Sequence, residues 1–422
     1  MIQNIEIRNY KSIEKISLPL GRVNLFIGEN GAGKSNILEA IALGAAAASD
    51  KLDNEFLSTR GIRVTPAEDM RPAFADFSHN ENIFISATFE DEIKASYELS
   101  NDNQPYSKWQ CRAGIQGPNL PSLNEVSHKF WDYFSTKNKR KPNKSEKDLI
   151  NFVIKSFGEK HPPKLKYNNE KNDEPSITIT PDQRIFHLIS QGWFVEEKKE
   201  PSLSFQDFMI YSPENSALKS LHREGQIEPL GVNGEGLLKL LSVLSSDPKY
   251  VDVYRDIRES LRLLGWFKDF EIISGDHTKN RIQIQDNFLE ENRAYFDQMS
   301  ANEGFLFLLF YFCLFSSELT PKFFAIDNID SSLNPKLCQQ LIKQLVSLSK
   351  THNKQVILTT HNPAILDGLN LDDDSQRLFV VSRNRKGYTR IERIKKPNTD
   401  STPIKLSAMF LNGMLGGLPK GF

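Results

Sequence analysis

The segment Gly28-Glu-Asn-Gly-Ala-Gly-Lys-Ser35 follows the short apolar run Val23-Asn-Leu-Phe-Ile27 and leads into an alanine-rich stretch from Ser35 to Ala48. Gly28, Gly33, Lys34 and Ser35 satisfy G-x-x-x-x-G-K-[ST]. In that pattern backbone N–H groups at a helix N-terminus cradle phosphates, the lysine meets their charge and the hydroxyl meets magnesium. Ile37, Leu38, Ala40, Ile41 and Leu43 carry helical spacing and composition, so strand, glycine loop and helix follow one another as a phosphate loop requires. The expected ligand is ATP with Mg2+, held by Gly28, Asn30, Gly31, Ala32, Gly33, Lys34, Ser35 and Asn36.

Outward from this loop, Ile2, Ile5 and Ile7 begin one strand, and Ile16, Leu18 and Leu20 continue the alternation in a second. Beyond residue 205 the chain repeats a strand-and-helix rhythm. Strands are expected at Phe323 to Ile326, Gln355 to Leu358 and Leu378 to Val381, with helices at Gly236 to Leu244, Tyr250 to Leu264, Lys336 to Lys350 and Ala364 to Leu369; this alternation implies a parallel sheet. The intervening sequence is polar and uneven. It holds a lysine-rich stretch (Lys137, Lys139, Arg140, Lys141, Lys144, Lys147), a polar run from Lys166 to Glu174, and short helical patterns at Val126 to Phe134 and Leu149 to Phe157.

The 422 residues suit two lobes or one core with a large insertion. Fifty-three Lys and Arg against 54 Asp and Glu leave a formal charge of -1, so no global charge draws the chain to nucleic acid or anionic lipid. Cys111, Cys313 and Cys338 are odd in number and far apart, which speaks against disulfides and zinc and fits a reducing cytoplasm. The N-terminus lacks a signal-peptide pattern, and the longest apolar run, Phe305 to Phe315, is 11 residues against the roughly 20 of a membrane span. It is expected as a buried helix.

A phosphate loop needs a carboxylate on a neighbouring strand to complete the magnesium shell, and Phe323-Phe-Ala-Ile326 ends in Asp327. The glutamate that polarises attacking water in such sites would come next, but Asn328 stands there and cannot take a proton. Two residues further, Asp330 is the acid that could reach the water instead, although a shift of this size usually misplaces a base. His361, directly after the strand ending at Thr360, stands where an imidazole can hydrogen-bond a γ-phosphate and register its presence. The candidate catalytic set is therefore Asp327, Asn328, Asp330 and His361, with Ser35 and Asp327 as magnesium ligands.

Together these motifs resemble the ABC-type ATPases of the SMC, RecF and OLD group, through Arg8-Asn-Tyr-Lys-Ser-Ile13, GENGAGKSN, IDNIDSSLNP and TTHNP. IDNIDSSLNP departs from the group's IDEPE-x-x-LHP at Asn328 and Asp330. The resemblance places an ABC signature at Gln298-Met-Ser-Ala-Asn-Glu-Gly304 and implies that Ser300 contacts nucleotide. It implies an α/β fold, a P-loop head with a mixed or parallel sheet flanked by helices, and covers residues 1–50 and 205–422; residues 51–204, outside it, are expected from their short helical patterns to form an inserted, mainly helical lobe. It also implies a head-to-head homodimer sandwiching ATP. The tail Leu411 to Pro419 is similar to compact AAA-type ATPases of anti-phage defence operons, PtuA of Septu and AriA of PARIS.

No heptad run marks a coiled-coil arm in residues 51–204. About 45 residues follow Leu378, too few for a Toprim nuclease, so a nuclease or toxin effector would be a separate partner. The expected role is a nucleotide-gated defence sensor or scaffold with slow hydrolysis. The alternative is a RecF-like repair ATPase acting on DNA through the lysine cluster, which keeps nucleic acid open as a partner; no membrane is expected.

Overall fold

The computed structural model describes residues 1–74, 81–90, 92–117, 176–179, 203–220, 227–273, 281–290, 295–396 and 405–417. From the N-terminus come strands β1 (Ile2–Tyr10), β2 (Ile13–Pro19) and β3 (Val23–Ile27), then helices α1 (Lys34–Ala48) and α2 (Asn54–Thr59). Strands β4 (Ile83–Phe89), β5 (Lys94–Ser100), β6 (Gln110–Gln116) and β7 (Ser176–Ile179) precede α3 (Leu203–Gln206), β8 (Ile210–Tyr211), α4 (Asn215–Lys219), α5 (Leu237–Ser246) and α6 (Val251–Leu261). Next are β9 (Phe267–Ile273), β10 (Arg281–Asp286), β11 (Tyr295–Asp297), α7 (Glu303–Ser316), β12 (Phe323–Ile326) and α8 (Pro335–Thr351). The last elements are β13 (Gln355–Thr360), β14 (Gln376–Arg383), β15 (Thr389–Ile394) and α9 (Leu406–Leu411).

The chain divides into two compact units. The first comprises Met1–Pro19, Leu43–Leu57 and Val64–Gln206. Its sheet runs β2-β1-β4-β5-β6-β7, with every neighbouring pair antiparallel. Ile83, Ile85, Ala87 and Phe89 on β4, and Ala95, Tyr97 and Leu99 on β5, are buried at alternate positions, the period-two pattern of a sheet with one covered face. Among the described residues between 51 and 204, strand outnumbers helix, where mainly helix is expected. Glu98 and Arg112 on neighbouring strands pair with each other. The helices expected at 126–134 and 149–157, and the lysine cluster at 137–147, lie outside the described residues.

The second unit, Leu20–Ala42, Ser58–Arg63 and Asp207–Phe422, is built on a sheet ordered β15-β14-β3-β13-β12-β8. All pairs are parallel except the edge hairpin β14–β15. All five residues of β3 and all six of β13 are buried, as central parallel strands covered on both faces must be. A separate small sheet runs β11-β10-β9. The run from Phe305 is the buried helix expected, α7, with every residue from Phe305 to Ser316 buried; a helix apolar all round belongs inside a core. Phe310 packs edge-on against Tyr211 at 5.7 Å between ring centroids, and Phe315 against Phe324 of β12 at 5.1 Å. α8 buries Cys338, Leu341, Ile342, Leu345 and Leu348, one stripe of an amphipathic helix, behind an Asn334 cap and Pro335 at its first position. The segment expected as a helix from Ala364 is a 3-10 turn, Pro363–Gly368. Among the described residues no helix is long and apolar enough to cross a membrane.

A buried lysine closes the end of α7. Lys354, 1 % exposed, donates from Nζ to the carbonyls of Ser317 at 2.7 Å, Thr320 at 2.9 Å and Pro321 at 3.1 Å, and to Thr320 Oγ1 at 2.9 Å. Cations stabilise a helix C-terminus, and here the ammonium also satisfies carbonyls that water does not reach. Replacing Lys354 with Met keeps the aliphatic stem and strands these acceptors. The urea midpoint should fall at unchanged slope, by the equivalent of about 2–4 kcal/mol for two buried groups left unpaired.

Candidate functional site

All the expected phosphate and magnesium ligands lie in the second unit. They sit at the carboxyl ends of three adjacent parallel strands, where ligands bind in open α/β sheets. β3 runs into the glycine loop, β12 into Asp327 and β13 into His361, and β13 lies between the other two. Register Thr360↔Ile27 brings β3 and β13 to end level, and register Ile326↔Leu358 stops β12 two residues before the end of β13.

The glycine loop is shaped by contacts that side chains would block. A Cβ on Gly28 would lie 2.0 Å from the Val381 carbonyl oxygen, and Gly33 has φ +108°, a left-handed conformation that favours glycine. Lys34 opens α1 and is buried, its Nζ donating to the carbonyls of Gly28 at 2.8 Å and Glu29 at 3.0 Å. The ammonium is thus folded against its own loop. Burial lowers the Lys34 pKa to about 8, against the opposing pull of Asp327, Asp330 and Glu29. Two side chains from the edge hairpin brace the loop from outside: Arg383 Nε donates to Gly31 O at 2.7 Å, and Thr389 Oγ1 to Ala32 O at 3.0 Å. Sequence reasoning missed both.

Asp327 is the centre of the site. Its Oδ2 accepts from Ser35 Oγ at 2.9 Å and its Oδ1 from Thr359 Oγ1. A hydroxyl from the first turn of α1 and a carboxylate from the end of β12, both hard oxygen donors, fit Mg2+. Among the described residues no group of three or more His, Cys, Asp or Glu is placed to hold a metal, so the ion's remaining ligands would be phosphate oxygens and water. Bound there, magnesium would neutralise charge on the phosphates.

The same Thr359 hydroxyl accepts from Asn328 N at 2.9 Å, and Asn328 takes φ +54°. Asparagine tolerates this conformation better than most residues, so the position suits Asn as backbone even though its amide cannot act as a base. Asp330 Oδ1 accepts from Thr360 Oγ1 at 2.7 Å. His361 Nδ1 lies 3.4 Å from Lys34 Nζ. Burial and then the Lys34 cation push the His361 pKa below its ordinary value, so near pH 7 the ring is neutral, able to accept at one nitrogen and donate from the other.

The other expected residues are placed differently. Asn30 and Gly31 are exposed, Ala32 is buried, and Asn36 Oδ1 accepts from Arg63 Nη2 at 3.3 Å. Ser300 is exposed, and both its N and its Oγ donate to Asp297 Oδ1, at 3.1 and 3.2 Å. The cap of α7 is Asn302, which accepts from Phe305 N at 2.8 Å. Among the described residues no hydrogen bond joins Ser300 to the glycine loop of its own chain.

A lysine with a pKa near 8 that must be charged to meet phosphate makes ATP binding proton-linked. Binding raises the Lys34 pKa, so the complex takes up a proton wherever the empty site has lost one. ATP affinity should hold below pH 8 and fall above it, approaching about tenfold per pH unit. Titration calorimetry from pH 7 to 9.5 checks this, and Lys34→Arg, charged throughout, should lack that slope.

Comparison with known proteins adds family to this geometry. The SMC head bound to the C-terminal winged-helix domain of ScpA shares the fold, with a TM-score of 0.52 at 13% identity, over 93% of this chain and 98% of that one. An OLD nuclease of Thermus scotoductus is 33% identical over 92 residues, which is 20% of this chain and 17% of that protein. The DNA replication and repair protein RecF of Bacillus thuringiensis is 42% identical over 55 residues, 13% of this chain and 15% of RecF. The chain thus spans under a fifth of the length of these two relatives. The family profile described as AAA ATPase domain matches residues 1–366. The chain belongs to the AAA ATPase domain family and has an ABC-type head of the SMC, RecF and OLD group.

Proposed function

We propose that this ATPase head is a nucleotide-gated sensor in anti-phage defence, akin to PtuA and AriA, which dimerises around ATP in the cytoplasm and controls a separately encoded nuclease or toxin. The carrying observation is an asymmetry. The side chains that would grip the phosphates and magnesium, Lys34, Ser35 and Asp327, stand together, while the residue after Asp327 is Asn328, whose amide takes no proton from water. A site that holds ATP firmly and turns it over slowly suits a latch.

Within the site Lys34 would leave the Gly28 and Glu29 carbonyls for phosphate oxygens, and Ser35 and Asp327 would hold magnesium. His361, neutral and beside Lys34, would donate to the γ-phosphate. A second head would supply the signature turn. Support for this comes from Ser300, exposed and tied to Asp297, and from Met299 beside it, 61% exposed. The second reading, a RecF-like ATPase working on DNA, draws on the short RecF similarity over 55 residues.

Light scattering with and without ATP and magnesium tests the gate. The native protein should dimerise with ATP. Lys34→Ala should weaken ATP binding about 100-fold and lose the ATP-dependent dimer, whereas Ser300→Arg should keep ATP binding and lose only the dimer. Unchanged affinity and assembly in Lys34→Ala would sink the proposal. Steady-state phosphate release should stay below about 1 s⁻¹, under the usual range for enzymes. DNA-stimulated release with steep salt dependence would favour the RecF-like reading instead.

A further inference from the structure

β13 ends in two threonines, and successive side chains of a strand point to opposite faces. Each hydroxyl nevertheless holds a carboxylate, because the segment after β12 crosses the end of β13, anchored by Ile329 N donating to Thr359 O at 3.0 Å. Thr359 holds Asp327, the acid paired with Ser35. Thr360, buried, donates to Asp330 Oδ1 at 2.7 Å and accepts from Asn362 N at 2.9 Å. One hydroxyl therefore fixes both Asp330 and the turn that carries His361.

Asp330 has the features a water-orienting base needs. It is half-buried, and Thr360 holds it at the end of the strand that leads into His361, one of the residues that would surround the γ-phosphate. Thr360 occupies Oδ1 alone; Oδ2 has no hydrogen-bond partner among the described residues, so it is available to accept from water. Asn328, by contrast, has its backbone N–H committed to Thr359 and its carbonyl accepting from Ser331 at 2.9 Å, within a left-handed turn.

We infer that Asp330 is the carboxylate that deprotonates the water attacking the γ-phosphate, and that Thr360 is its positioning residue. This rests on the reading of the site as an ATPase. In the step, the water oxygen bonds to the γ-phosphorus and the bond to the β–γ bridging oxygen breaks. ADP departs with that electron pair, and the proton released by the water passes to Asp330 and then to solvent. The hydrogen bond from Thr360 fixes the orientation of the carboxylate, and the second role of Thr360 on Asn362 keeps His361 in register with it.

The test compares native protein with Thr360→Val, Thr360→Ser and Asp330→Asn. Phosphate release is followed from pH 5 to 9, and binding of a non-hydrolysable ATP analogue is measured in parallel. Asp330→Asn should lose about 100-fold or more in kcat. Thr360→Val, close in shape but without the hydroxyl, should lose about tenfold in kcat, one hydrogen bond's worth, with KM and analogue affinity within about twofold. Thr360→Ser should restore the rate. Full activity in Asp330→Asn overturns the inference, as does a Ser variant as slow as the Val variant. Native protein that binds the analogue through Lys34 yet releases phosphate no faster than Asp330→Asn also overturns it, while leaving the nucleotide gate intact. Loss of Lys34-dependent binding would instead overturn the gate.

Discussion

The site depends on a bridge of three side chains over the end of one strand. Asp327 reaches from β12 to Ser35 beyond β3, and Thr359 of the intervening β13 takes the carboxylate's other oxygen. Neighbouring strands lie about 4.8 Å apart, so β12 and β3 are separated by roughly twice that distance, more than one aspartate can span unsupported. The bridge depends on the parallel register, which pairs the last residue of β12 with Leu358, just before Thr359, and Thr360 with the last residue of β3. Moving β13 by one residue would turn Thr359 to the other face and leave the carboxylate unheld.

The same strand end explains why Asn328 sits where a glutamate would otherwise be. Its N–H is taken by Thr359, and its backbone is left-handed, a conformation asparagine enters at little cost. In the inferred step the proton-accepting role falls to Asp330, which Thr360 anchors. Binding and turnover thus rest on neighbouring hydroxyls with separable roles.

Much of this was legible in the sequence, for a physical reason. The glycine loop encodes its own shape, since Gly28 and Gly33 answer constraints of close approach and left-handed backbone, and Lys34 and Ser35 follow at fixed spacing on α1. Asp327 and His361 were also legible, because each directly follows a short apolar strand. Thr359 and Thr360 were not singled out, although TTHNP was quoted, because their partners stand about 30 residues earlier and meet them only through sheet register. Arg383 and Thr389, which brace the glycine loop from 352 and 357 residues away, carry no local signal at all. The strands β4 to β6 were hidden by their own exposed face, whose polar residues interrupt the apolar ones at every second position.

The claim on which the account stands is that Asp327, held by Thr359 and paired with Ser35, joins the glycine loop in one magnesium-assisted phosphate site. Calorimetric titration of ATP into the native protein and into Asp327→Asn, each with magnesium and with EDTA, measures it directly. The account predicts that magnesium strengthens ATP binding to the native protein and does nothing for the variant. An equal gain from magnesium in both would contradict it.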